Sequence, residues 1–235
     1  MGPWSVVVPA KRLPAAKTRL RPLTARTGGD AGPAPADPHA DLVLALLADT
    51  LAAALACPAV AALVVVTDDP AAADLARGLG AVPVPDVPDR GLNPALAHGA
   101  AAATALTGSA AVAALSSDLP ALRPEELAGA LGAAGVVPVR RSFVADAQGT
   151  GTTLLAAAGG DLDPRFGRGS AAAHAASGAL ALGGGWPGLR RDVDSPDDLA
   201  TAARLGLGPR TAAVLGRWGA HPVRGTRARG SRPTA

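Results

Sequence analysis

Tyrosine is absent from the 235 residues, and the other large aromatics are limited to two phenylalanines and three tryptophans. A core so poor in rings must be filled by alanine, valine and leucine, and aromatic stacking on nucleic-acid bases is not expected. Any base that binds is held by backbone and polar groups. Cysteine occurs once, at Cys57, so no intramolecular disulfide can form and a reducing compartment is expected. Its place in an apolar, helix-forming run reads as packing. Long apolar runs are also scarce. The first stops at Ala10, before Lys11 and Arg12, which is too short and in the wrong order for a secretory signal. The Ala/Leu-rich stretch 42–66 is broken by Asp49 and Pro58, short of the roughly 20 apolar residues of a membrane span. The expectation is a soluble, cytoplasmic protein with no membrane partner.

Acidic residues are missing from positions 217–235, which contain Arg217, Arg224, Arg227, Arg229 and Arg232. Removing these five charges from the net +3 leaves −2 for residues 1–216, so the pI near 9.9 belongs to the tail. Rich in Gly and Pro and without apolar periodicity, residues 217–235 are expected to be disordered, and no nucleic-acid partner is expected. Three catalytic signatures are lacking as well. There is no G-x-x-x-x-G-K-[ST] phosphate loop, no G-x-S-x-G elbow that would make Ser170 and His174 a hydrolase pair, and no transition-metal spacing among the four histidines and Cys57. His174 reads as a packing histidine.

What is present is a 49% hydrophobic chain long enough for one large domain, residues 1–216. Apolar strands are predicted at 6–8, 62–67, 82–85, 111–116, 136–139, 143–146, 152–156 and 189–193. Helices are predicted at about 39–57, from Pro70, at 95–106, from Pro124 and from Ser170 to near Gly178. Residues 24–38 read as a mobile loop. Strands alternating with helices imply an α/β three-layer sandwich around a mostly parallel sheet, which binds ligands beyond the carboxyl ends of its strands.

Four segments could carry chemistry there. Lys11, Arg12, Lys17 and Arg19 follow the first strand, and their cations fit a triphosphate. Asp118 sits at the tip of the strand 111–116, where one carboxylate suffices to begin a magnesium site. Asp192 and Asp194, if extended, share a face about 6 to 7 Å apart and are able to converge on one metal or on a metal pair. Ser195 instead reads as a helix cap, with Pro196 as first helical residue and Asp197 and Asp198 as partners of the helix dipole. The fourth comprises residues 146–153 and 164–170, where small and hydroxyl residues let backbone amides approach an anion and Ser170 can cap a helix. Gly167-Arg168-Gly169-Ser170-Ala171-Ala172 is only a loose dinucleotide pattern and follows no strand.

Together, Val8-Pro9-Ala10-Lys11 through Leu20, Gly91-Leu92-Asn93, Ser117-Asp118-Leu119-Pro120, Gly149 to Thr153, Phe166 to Ser170 and Asp192 to Leu199 resemble the phosphoenolpyruvate or 2-phospho-L-lactate guanylyltransferases of coenzyme F-420 biosynthesis. The resemblance spans about residues 4–215. It implies a single-domain, Rossmann-like nucleotidyltransferase fold and a magnesium-dependent transfer of GMP from GTP. It further implies that Thr152, Gly167 and Ser170 hold the phosphorylated acid, that Asp118, Asp192 and Asp194 manage Mg2+, and that Lys17 and Asp118 are catalytic. Lys11, Lys17 and Arg19 would contact phosphates and Asn93 the guanosine. A further enzyme of the pathway that accepts the labile product is an implied partner. The Ala-, Arg-, Gly- and Pro-rich usage is actinobacterial in character, where the resemblance implies phosphoenolpyruvate. 2-Phospho-L-lactate remains the alternative acid. Sugar-phosphate and molybdenum-cofactor nucleotidyltransferases are disfavoured because Val-Pro-Ala-Lys stands where they have a Gly-rich loop, and a non-catalytic nucleotide binder is disfavoured by the three carboxylates.

Overall fold

The computed structural model describes residues 3–10, 17–24, 37–87 and 89–218. Lys11 and Arg12, residues 25–36 of the expected loop, and the tail from residue 219 lie outside the described residues. In chain order the elements are β1 (Trp4–Pro9), a 3-10 turn (Thr18–Leu20), α1 (Arg21–Thr24), α2 (Pro38–Leu55), β2 (Val60–Val66), α3 (Pro70–Leu79) and β3 (Val82–Val84). They continue as α4 (Leu92–Thr107), β4 (Ala111–Leu115), α5 (Pro124–Val136), β5 (Arg141–Ala145), β6 (Thr152–Ala158), α6 (Ser170–Ala176), β7 (Leu180–Ala181), α7 (Pro196–Leu205) and α8 (Pro209–Arg217).

All seven strands form one sheet in the order β3-β2-β1-β4-β6-β5-β7. β6 runs antiparallel to both neighbours, and the other pairings are parallel. The central strands are apolar on both faces because both faces are covered. Val6 and Val8 of β1 pack with α2, α3 and α5, whereas Val7 packs with α4 on the opposite side. A third cluster seats α7 and α8 on α2 through Leu42, Leu46, Leu199 and Val214. α2 is long and apolar enough to cross a membrane by length and composition, yet its residues Leu42, Leu46 and Leu51 are core.

Local chemistry sets the helix starts. Asp37 accepts from the amides of His39 and Ala40, and Asp69 from those of Ala71 and Ala72. Ser195 and Asp198 form a reciprocal capping box at α7, with Pro196 as first helical residue, as expected. Glycine is required at position 99, where α4 lies against the sheet. A Cβ there would stand 2.5 Å from methyls of both Val7 and Val66.

Four expectations change. Residues 136–139 are not a strand, since α5 runs through Val136 and the following residues form the connection to β5. Residues 189–193 are not a strand either, because the amides of Gly188 and Leu189 donate to the Glu126 carboxylate at 3.1 and 2.9 Å instead of to a neighbouring strand. α4 begins at Leu92, so Asn93 lies in its first turn rather than in a loop. Ser170 is the first residue of α6 and not its cap, the cap position being Gly169, with no side-chain cap bond.

Candidate active site

β1 and β4 run parallel and end at one edge of the sheet, at Pro9 and Leu115. Beyond β4 the chain is pinned so that Asp118 faces this edge. The Ser116 amide donates to the Thr153 carbonyl at 2.8 Å, the Leu119 amide to Thr50 Oγ1 at 2.9 Å, and the Val193 amide to the Asp118 carbonyl at 3.1 Å. That last bond also brings the 192–194 segment to Asp118 without a strand.

Lys17 closes the edge from the other side. Its backbone is left-handed, with φ 51° and ψ 40°, which is uncommon for a residue with a Cβ. Its ammonium donates to Asp118 Oδ2 and, at 2.6 Å, to Asp194 Oδ1. Asp118 is the buried end of this bridge and Asp194 the open end, at 11% and 57% side-chain exposure. Burial alone would lower the Lys17 pKa, but the charges of Asp118 and then Asp194 outweigh it and raise it, so Lys17 stays protonated. Asp192 is pushed up to about 7 by burial and then by the charges of Asp118 and Asp194, with Lys17 pulling the other way. A cavity of about 270 Å³ opens over this edge, with Pro9, Ala10, Ser117 and Phe166 among its walls. Arg19 is exposed two residues beyond Lys17. Lys11 lies outside the described residues. Among the described residues, no group of three or more His, Cys, Asp or Glu side chains stands close enough together to enclose a metal ion.

The small-residue loops meet at the same edge. Because β6 is antiparallel to β4, its first residue, Thr152, lies where β4 ends. Asp146 folds the preceding turn by accepting the amides of Thr150 and Gly151 at 2.9 and 2.8 Å. Thr152 and Ser170 are both buried, and Gly167, at φ 134°, occupies a backbone region that a side chain would strain. Asn93 clamps this loop from α4. Its Oδ1 accepts the Phe166 amide at 2.7 Å and its Nδ2 donates to the Phe166 carbonyl at 3.1 Å. Both ends of the Asn93 side chain, which the resemblance assigns to the guanosine, are thus engaged with the backbone of the 164–170 loop. His174 Nδ1 lies 2.9 Å from Thr152 Oγ1, and its Nε2 accepts the Arg165 amide at 2.9 Å, so its role exceeds the packing expected from sequence. No sequence spacing linked His174 to Thr152, because the contact depends on how α6 sits over β5 and β6.

The mixed seven-stranded sheet, with a lysine and carboxylates gathered beyond β1 and β4, shares its fold with nucleotidyltransferases. Similar folds are a nucleotidyl transferase from Methanothermobacter thermautotroptrophicus, TM-score 0.59 at 18% identity, covering 87% of this chain and 98% of that one, and a protein from Desulfovibrio desulfuricans G20 described as a nucleotide-diphospho-sugar transferase, TM-score 0.63 at 18% identity, covering 92% and 95%. These likenesses concern the fold alone. No family model matches the chain. It is 67% identical over 213 residues to the phosphoenolpyruvate guanylyltransferase of Geodermatophilus obscurus, covering 91% of this chain and 94% of the relative. It is 58% identical over 214 residues to that of Salinispora arenicola, with 91% and 94% covered. The chain belongs to the phosphoenolpyruvate guanylyltransferase family.

Proposed function

We infer that this protein transfers GMP from GTP to phosphoenolpyruvate, giving enolpyruvyl-diphospho-guanosine and pyrophosphate, as a cytoplasmic enzyme of coenzyme F-420 biosynthesis. The observation that carries the reading is the Lys17 bridge between Asp118 and Asp194 beneath the cavity, in a chain 67% identical to a relative of that name. The reaction joins two anions. A phosphate monoester is largely dianionic at neutral pH, its second pKa being about 6, so the attacking oxygen needs no general base. That oxygen bonds to the α-phosphorus of GTP while the bond to the β-phosphate bridging oxygen breaks, and pyrophosphate leaves with the electron pair.

The side chains fit this task of charge control. Asp118, Asp192 and Asp194 present hard oxygens beside the Lys17 ammonium, and the Asp192 pKa is raised first by burial and then by the charges of Asp118 and Asp194. This donor set suits Mg2+, which binds through one or two carboxylates completed by substrate phosphates and water and so needs no closed cage. Bound there, the ion would neutralise the approaching phosphates. Lys17, held protonated, moves from its carboxylates to offset phosphate charge, with Lys11 and Arg19 as further cations. Thr152, the Gly167 backbone and Ser170 take the acid. The labile product calls for a second enzyme that accepts it.

The test incubates the protein with GTP, Mg2+ and either phosphoenolpyruvate or 2-phospho-L-lactate and identifies products by mass. Formation of the enolpyruvyl product and pyrophosphate is expected. Turnover of 2-phospho-L-lactate alone would replace the acid, and turnover of neither would overturn the reading.

A further inference from the structure

His174 is completely buried on α6, between the rings of Phe143 and Phe166 at centroid distances of 5.8 and 5.1 Å. Both its nitrogens are used. The Arg165 amide can only donate, so Nε2 must be bare. Burial, then Arg141, lowers the His174 pKa to about 4 against the opposing charge of Asp163, so the ring is neutral. A neutral ring with Nε2 bare has its hydrogen on Nδ1, directed at Thr152 Oγ1. The hydroxyl oxygen therefore accepts, and the hydroxyl hydrogen is left to donate elsewhere.

The sheet register explains why Thr152 meets this ring. Val144 pairs with Leu154 but Ala145 with Thr152, so Thr153 is an extra residue on β6. A bulge of one residue reverses the alternation of side chains. Leu154 packs on the α5 side, and Thr152 is turned to the opposite side, where α6 lies. On that side the ring also fixes the loop, because the Arg165 amide is held by His174 and the next amide, that of Phe166, by Asn93.

We propose that His174 is a positioning residue that turns the Thr152 hydroxyl into a hydrogen-bond donor to the anionic acid substrate. The proposal rests on the reading that Thr152 contacts the acid. A threonine free to rotate would offer its lone pairs as readily as its hydrogen, whereas one already accepting from Nδ1 has its hydrogen turned away from the ring toward an acceptor.

Two substitutions separate the two nitrogens. His174→Asn places an amide NH2 near Nδ1 and keeps the donor to Thr152. His174→Gln places an amide oxygen near Nε2 and keeps the acceptor for Arg165 while losing that donor. With the acid that the wild type turns over, His174→Gln should raise the KM for the acid about tenfold, the size of one hydrogen bond to a charged group, and leave the KM for GTP within about twofold. His174→Asn should keep the acid KM within about threefold, and adding His174→Gln to Thr152→Val should raise it no further. Equal changes in both KM values, or a further loss in the Thr152→Val background, would overturn the proposal. The wild type supplies an arm independent of variant folding. Histidine 15N resonances should show a neutral ring protonated at Nδ1 between pH 6 and 8, and protonation at Nε2 would overturn it. Failure of phosphoenolpyruvate as a substrate bears only on the function proposed above, since these assays use whichever acid is accepted.

Discussion

Lys17 and Asp118 are 101 positions apart in the chain and form an ion pair at the edge where β1 and β4 end. The pair is mostly buried, so each partner depends on the other. On the proposed mechanism Lys17 offsets phosphate charge and Asp118 holds the metal, so Lys17→Met and Asp118→Asn should each lower turnover by about a hundredfold or more. Circular dichroism should show both variants folded. Activity within a few-fold of wild type in either would remove that residue from the reaction.

Asp192 should give the metal-free protein a distinctive pH profile. Its folded pKa of about 7 lies above the roughly 3.9 of an unfolded aspartate, so between those values the folded state retains a proton that the unfolded state releases. Stability from this group therefore falls as pH rises from about 4 to about 7 and is level above. Asp192→Asn should raise the Tm relative to wild type, with the gain growing from pH 5 to about pH 7 and level beyond. A difference in Tm independent of pH would show that Asp192 titrates normally.

The acidic residues after Asp194 should behave differently. Asp197 is exposed in the first turn of α7, and Asp197→Asn should cost only a few tenths of a kcal/mol. Asp198 accepts from the Ser195 amide and hydroxyl at 3.0 and 2.7 Å, and Asp198→Ala should cost about 1 kcal/mol. Urea titration measures both. A severe loss of turnover in Asp197→Asn without a change in stability would reassign it to the reacting group of acids.

Gly99→Ala tests the contact between α4 and the sheet. With valine methyls 2.5 Å from the new Cβ, the helix must shift, and a loss of about 1 to 3 kcal/mol is expected. Because α4 also holds Asn93, the KM for the acid should rise with it. A stable variant with an unchanged KM would show that the helix can move without disturbing the Phe166 clamp.

The elements most legible in the sequence were those with both an apolar run and a chemical boundary. Pro70 marked α3, and Ser195, Pro196 and Asp198 marked α7, because caps are local. Val136-Val137-Pro138-Val139 looked like a strand from its residue types, but Val136 completes α5. Residues 189–193 misled for another reason. The Leu189 amide is taken by the Glu126 carboxylate, 63 residues away, a contact that no local pattern in the sequence marks. At the site, the structure brings Lys17, Asp118 and Asp194, all residues of the charged motifs, into contact, whereas the Asn93 clamp and the His174 bridge depend on packing between segments 73 and 22 residues apart.

β6 alone enters the sheet from the edge that β1 and β4 leave. Had it run with its neighbours, Thr152 would lie at the far end of the sheet, about five residues or some 17 Å from Asp118 at 3.3 to 3.4 Å per residue. This single reversal therefore brings the beginning of one strand to the ends of others, so that Thr152 lies at the end of the sheet that carries Asp118. Such a site cannot be made from any one contiguous stretch, since its outermost partners, Lys17 and Asp194, are 177 residues apart. A chain cut anywhere between them contains no smaller version of the site. Activity recovered by mixing two such fragments would therefore report assembly of the entire sheet.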